Sequence, residues 1–282
     1  MFDIGLGNLV TYNPTVVSPE ATLDTIESLF ERHDIRHAPV VDSQRRVVGI
    51  VSLLDVQLAR NGGCFATADG IEEADDLRVS DLMQSPVVTV CSDDTPLAVL
   101  RTMLTNGFHS VPVVTDEKLV GIVTSSDFLR ELSYGDDPLF REPLVKHILS
   151  EKAQIDAKET LVAAGRKMDA LAVDFLAVVS DGLPLGYVSR RDLVIAAPQN
   201  AEELTCGHVA NTFHQTAPNI PLTAKLGEGV RTLLEQHVKV AMVVDRQQRS
   251  RGLLTVRTAL TAIAGALEHE HATAVAVGQA IA

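Results

Sequence analysis

Three places in the chain set a hydroxyl and a carboxylate three residues apart, each time behind a glycine and an apolar pair: Gly49-Ile-Val-Ser52-Leu-Leu-Asp55, Gly121-Ile-Val-Thr124-Ser-Ser-Asp127 and Gly186-Tyr-Val-Ser189-Arg-Arg-Asp192. A fourth copy, Gly252-Leu-Leu-Thr255-Val-Arg-Thr258, keeps the glycine and the hydroxyl but has threonine where the acid stood. Taken as residues alone, Ser or Asp where a strand meets a helix is an ordinary helix cap. Recurrence of the hydroxyl and the acid in phase favours a second role for the acid. The chain has no P-loop, no Gly-x-Ser-x-Gly and no HExxH, and the repeats leave no room for a separate catalytic domain. Gly5-Leu-Gly-Asn-Leu-Val10 begins like a phosphate-binding GxGxxG but ends in valine, and no strand precedes it, so it reads as a lead-in. His269 and His271 lack a third ligand and read as surface residues.

Each motif needs a scaffold, and the same one surrounds all four. In the first copy the pair Val16-Val17 suggests a short strand. Leu23, Ile26, Leu29 and Phe30 then recur at helical spacing with Thr22 or Pro19 near the start, and Ala38 to Val41 and Val47 to Val51 form two strands. A closing helix starts at the acid, giving the order β-α-β-β-α. In the second copy Thr95 caps, Pro96 stands at the first helical position, Leu97, Leu100, Met103 and Leu104 form the stripe, and Gly107 ends it. Thr160 with Leu161, Ala164, Met168 and Leu171 repeats the pattern, as do Leu226, Val230, Leu233, Leu234 and Val238. The boundaries are 1–60, 79–132, 145–196 and 208–264, with a small apolar tail at 265–282. An acidic loop (61–76) and a turn-rich stretch (133–143) separate the copies, the second dividing the chain into halves. A unit of about 50 residues with one amphipathic face cannot bury that face alone, so the copies must pair.

A formal charge of -13 over 282 residues opposes nonspecific binding to nucleic acid or anionic membranes. Any anionic ligand therefore needs basic residues placed locally. Cys64, Cys91 and Cys206 are odd in number and scattered, as in a reduced cytoplasmic protein. No stretch is apolar enough for a membrane span, and no basic leader opens the chain.

The in-phase motif resembles that of the cystathionine-β-synthase (CBS) domain, four in tandem over nearly the whole chain. The arrangement is similar to the γ subunit of AMP-activated kinase and to stand-alone prokaryotic CBS proteins. The resemblance implies an α/β (α+β) fold of four CBS repeats paired into two Bateman modules. It implies that Asp55, Asp127 and Asp192 accept hydrogen bonds from a ribose diol, since two carboxylate oxygens suit two adjacent hydroxyls. Ser52, Thr124 and Ser189 would bond phosphate or sugar, and the start of each closing helix favours anions. Phosphate would be met by Arg36 and His37 in the first copy and by His109 and Ser110 in the second. The third has Asp174 there, offset by Arg190 and Arg191, and the fourth has Lys239 but Thr258, so the second half reads as degenerate. The implied function is a non-enzymatic sensor of AMP, ADP or ATP that signals to a protein target or through its own assembly. S-adenosylmethionine or NAD would also satisfy a diol-binding acid. The alternative is an assembly scaffold with vestigial sites. One chain could complete a disk of two modules, or two chains could stack as a homodimer.

Overall fold

The computed structural model describes residues 5–60, 66–67, 70–71, 77–133, 137–195 and 207–281; Cys64 and Cys206 lie outside them. The chain divides into two units, one built on the first two copies as far as Phe128 and one on the last two from Leu129. The first copy contains β1 (Thr11–Tyr12), α1 (Leu23–His33), β2 (His37–Val41), β3 (Val47–Ser52) and α2 (Leu53–Arg60), and a small hairpin of β4 (Ala66–Thr67) and β5 (Gly70–Ile71) follows. The second contains α3 (Val79–Leu82), β6 (Val90–Cys91), α4 (Pro96–Asn106), β7 (Ser110–Thr115), β8 (Lys118–Thr124) and α5 (Ser125–Ser133). The third contains β9 (Leu149–Ser150), β10 (Gln154–Asp156), α6 (Leu161–Leu171), β11 (Phe175–Ser180), β12 (Leu183–Ser189) and α7 (Arg190–Ile195). The fourth contains β13 (Asn219–Pro221), α8 (Leu226–Glu235), β14 (Val240–Val244), β15 (Ser250–Thr255) and α9 (Val256–Ile281).

In the first three copies the first long helix starts where a threonine takes up an orphan amide, whereas α8 follows Lys225 with no side-chain cap. Thr22 accepts from Thr25 N at 3.3 Å, Thr95 from Ala98 N at 3.2 Å and Thr160 from Ala163 N at 3.1 Å. The helices end on left-handed residues, Asp34, Gly107 and Ala172. Their inward stripes are the expected ones: Leu23, Ile26 and Phe30 pack with Ala38, Val40 and Val51 in the first copy, and Leu161, Ala164 and Met168 with Leu176, Val178 and Val188 in the third. Leu171 departs from its stripe. It is exposed, because α6 ends on it and Ala172 turns the chain away. In the second unit Ala177, Val240, Met242 and Leu253 form a further cluster shared by its two sheets.

Within each copy the incoming segment pairs parallel to the first hairpin strand, which pairs antiparallel with the second. The register partners are Val17↔Val40, Val90↔Val113, Ile155↔Val178 and Ile220↔Val243. The chain just before that segment pairs elsewhere. β1 adds to β8 of the second copy (Thr11↔Ile122), and Gln84 returns to the first copy, exchanging main-chain bonds with Ile50 at 2.8 and 3.2 Å. The second unit repeats the exchange: β9 adds to β15 (Leu149↔Leu253), and His214 exchanges bonds with Tyr187 at 2.8 and 3.0 Å. Two copies thus complete each other's sheets, which is the structural form of the pairing their length demands.

The motif glycines stand where this borrowed strand crosses. A Cβ on Gly49 or Gly121 would run into the Met83 or Val10 side chain, and one on Gly186 or Gly252 would overlap the carbonyl oxygen of His214 or Leu149. A bulge precedes the glycine in every copy, as in Val40↔Gly49 followed by Val41↔Val47, and turns the strand end toward the closing helix.

Two hairpin turns are held by an acid. Asp42 Oδ1 accepts from Gln44 N (2.8 Å) and Arg46 N (2.9 Å), and Asp245 Oδ1 accepts from Gln247 N (2.8 Å) and Arg249 N (3.0 Å). The main-chain amides of Arg46 and Arg249 are the foremost reason that both carboxyls lie below the usual carboxylate range. A depressed folded-state value contributes stability above the unfolded value of about 3.9 and loses it as pH falls through the folded one. Asp42→Asn with Asp245→Asn should therefore flatten the fall in stability below about pH 4, measured by urea unfolding between neutral and acidic pH.

The stretch 265–281 continues the closing helix of the fourth copy, since α9 runs unbroken from Val256 to Ile281. Gly265 alone weakens a helix by about 1 kcal/mol, too little to stop an alanine-rich run. Among the described residues no helix is long and apolar enough to cross a membrane.

Candidate functional site at the strand-to-helix junctions

The four junctions share one scaffold of hydrogen bonds. The first amide of each closing helix donates to the carbonyl just before the hairpin: Leu53 N to Arg36 O (2.9 Å), Ser125 N to His109 O (2.9 Å), Arg190 N to Asp174 O (2.8 Å) and Val256 N to Lys239 O (3.0 Å). The hydroxyl and the acid then cap the helix reciprocally. Ser52 donates to Asp55 Oδ2 through N (2.9 Å) and Oγ (2.5 Å), and Asp55 N donates back to Ser52 Oγ at 3.3 Å. Thr124 N and Oγ1 donate to Asp127 Oδ2 at 2.8 and 2.6 Å, and Ser189 N and Oγ to Asp192 Oδ2 at 2.7 and 2.7 Å. The fourth copy builds the same cap without an acid, Thr255 N donating to Thr258 Oγ1 and Thr258 N to Thr255 Oγ1, both at 3.0 Å.

This geometry narrows what each group can offer a ligand. Oδ2 already accepts two bonds, so a sugar hydroxyl would meet Oδ1. The hydroxyls of Ser52, Thr124 and Ser189 donate to the neighbouring acid and keep only acceptor capacity for a sugar OH, which a phosphate oxygen cannot use. Asp55 and Asp127 are half-buried, and Asp55 Oδ1 accepts no hydrogen bond among the described residues. Asp192 is buried, and its Oδ1 accepts from His214 Nε2 at 2.9 Å.

In the first copy the structure brings Arg36, His37, Ser52 and Asp55 to one end of the sheet: His37 lies opposite Ser52, and Arg36 is exposed just before it. In the second it gathers His109, Ser110, Thr124 and Asp127. Ser110 is buried opposite Thr124, and His109 Nδ1 lies 3.2 Å from Ser125 Oγ, which donates to the His109 carbonyl. In the third copy Arg190, expected to offset Asp174 for a phosphate, reaches Asp169 (2.6 Å), Asp174 (3.4 Å) and the Val173 carbonyl (3.2 Å). Its charge is spent on protein acids. Among the described residues no group of three or more His, Cys, Asp or Glu could hold a metal ion.

Sequence reasoning passed over the borrowed strand. Thr11, Gln84, Leu149 and His214 occupy one register position, each next to the residue after a motif glycine. Their signal was a fixed distance, six residues ahead of Val17, Val90, Ile155 and Ile220. Of these, His214 reaches an acid. Its ring also stacks on Tyr187 (centroids 4.9 Å, 24° between planes), and Tyr187 meets Phe175 edge-on at 6.0 Å. Burial, and then the charge of Asp192, push the Tyr187 phenol up.

A family model for the CBS domain matches residues 6–61 and 79–134. Over 124 residues the chain is 32% identical to the inosine-5'-monophosphate dehydrogenase of Halobacterium salinarum, covering 44% of this chain and 23% of that protein. It is 26% identical over 195 residues to the uncharacterized protein MJ1225 of Methanocaldococcus jannaschii, covering 64% of this chain and 66% of that one. The aligned stretches thus span less than two thirds of both relatives. The crystal structure of MJ1225, described as a candidate archaeal homologue of g-AMPK, matches with a TM-score of 0.65 at 20% identity over 92% of this chain and 99% of that one. An uncharacterized conserved protein from Pyrococcus horikoshii matches with a TM-score of 0.58 at 19% identity, again over 92% and 99%. At these identities the two structures show the fold. The third and fourth copies lie outside the residues matched by the family model and carry the same order of elements.

Proposed function

Because this chain belongs to the CBS-domain family, we propose that it is a regulatory ligand-binding protein whose first two copies hold an adenosine-containing nucleotide: AMP, ADP or ATP. The observation that carries this reading is the division of labour in the Asp55 carboxylate. Oδ2 completes the helix cap while Oδ1 accepts no hydrogen bond among the described residues. Thr258 makes the cap without a charge, so a cap alone does not call for an acid. What the acid adds is a second, charged acceptor beside the sheet end, and the adjacent hydroxyls of a ribose are suited donors.

In this reading Asp55 and Asp127 take the ribose, Ser52 and Thr124 orient the acids, and Arg36, His37, His109 and Ser110 face the phosphate side. S-adenosylmethionine and NAD carry the same diol and belong in the same test. Asp192 with Ser189, and Thr258, belong to a second unit whose role is assembly, because one acid is sealed and the other absent. Binding would regulate a protein target, or a homodimer of this chain, in the cytoplasm, by favouring one arrangement over another. No turnover of the nucleotide is part of this function. Calorimetric titration of the intact protein with AMP, ADP, ATP, S-adenosylmethionine and NAD tests it. Saturable binding of an adenine nucleotide is expected, and no heat from any of them at millimolar concentration would overturn the reading.

A further inference from the structure

We infer that His214 is a built-in occupant of the third copy's acid, and that displacing its ring opens at Asp192 a site for a ligand carrying a cis-diol. The identity of that ligand class rests on the reading of the acids given above; the occlusion itself rests on geometry. Asp192 is 8% exposed and has three donors: Ser189 N and Oγ on Oδ2, and His214 Nε2 on Oδ1 at 2.9 Å. A carboxylate this deep needs a donor on its second oxygen when no ligand is there. The protein supplies one from the strand that the fourth copy lends to the third.

The same register position holds Thr11, Gln84 and Leu149 in the other copies. Leucine has no group to offer an acid, and Asp55 accepts nothing from Gln84. The imidazole makes the two contacts a nucleoside would make: a donor on the acid and a flat face against an aromatic ring, Tyr187. It is also able to leave. The His214 side chain is 48% exposed, while its main chain stays fixed by the exchange with Tyr187 at 2.8 and 3.0 Å. Rotation about the side-chain bonds uncovers Asp192 without breaking a strand.

The test uses the full chain carrying Asp55→Thr and Asp127→Thr, which silences the first unit and makes the outcome independent of whether that unit binds nucleotide. Into this background go His214→Leu, which copies Leu149, the residue that the third copy sets against the fourth, and separately His214→Ala. Adenosine is the probe, titrated calorimetrically, with 2',3'-dideoxyadenosine as the diol-free control. Freeing the acid from one hydrogen bond and one ring contact should tighten adenosine binding about tenfold or more, to one equivalent per chain. Asp192→Asn added to either variant should abolish the gain, and the dideoxy compound should not show it. Unchanged adenosine binding in a folded His214 variant, or a gain shared by the dideoxy control, would overturn the inference. Should both variants unfold, the ring signals of His214 in the background protein decide. Adenosine at millimolar concentration should move them, and still signals would reject the idea.

Discussion

Replacing Asp127 by threonine should remove most of the nucleotide affinity of the second copy and leave the closing helix capped. The fourth copy is the precedent, since Thr255 and Thr258 exchange two 3.0 Å bonds and start α9 without a carboxylate. The variant therefore separates the two roles that one acid combines. Hydrogen bonds to a charged acceptor contribute about 1.5–3 kcal/mol, so losing the acid should weaken binding by about 10- to 150-fold. Global stability should change by less than about 1 kcal/mol, the usual range for exchanging one capping side chain for another. Asp55→Thr should behave the same way in the first copy, where Oδ1 has no partner to replace among the described residues. Calorimetry for affinity and urea unfolding for stability check both halves. If capping were the acid's only role, affinity would stay as it was.

Gly252→Ala should be severely destabilising for a single added methyl. Its Cβ would overlap the Leu149 carbonyl, which β9 holds in place by pairing with β15. A side chain in the way could rotate; a main-chain oxygen within a strand pair cannot. The backbone at Gly252 has φ of +143°, a conformation alanine adopts at a penalty of about 1–3 kcal/mol. Overpacking adds about 1–3 kcal/mol, so a loss of about 2–6 kcal/mol is expected, a large share of the roughly 5–15 kcal/mol that holds a typical domain together. Gly186→Ala should behave alike against the His214 carbonyl. Gly265→Ala is the internal control. Nothing lies within 4 Å of its added Cβ, and it sits inside α9, so that variant should gain about 0.5–1 kcal/mol. Urea unfolding of the three variants compares them directly.

Much of this architecture can be read from local pattern. The stripes of α1, α4 and α8, the threonine caps and the four-fold motif are set within about a dozen residues each, and most of their residues stand as expected, although Val99 joins the buried face of α4 and Val238 lies past the end of α8. The borrowed strands could not be read that way. Thr11 pairs with Ile122, and His214 and Gln84 make single bridges too short for any periodicity. For the same reason the glycines were visible as a recurrence while their cause, a strand crossing from the other copy, was not. The acids were legible as residues, but not how their oxygens are divided. That depends on the direction in which Ser52, Thr124 and Ser189 donate, and in the third copy on His214, a residue that no motif marks.

The most direct measurement compares AMP with its 2',3'-dideoxy analogue on the intact protein by calorimetry. AMP should bind, and the analogue, which keeps the base and the phosphate, should bind at least about tenfold more weakly, as expected for the loss of hydrogen bonds to a charged acceptor. Equal affinity for the two would contradict a carboxylate that grips the sugar.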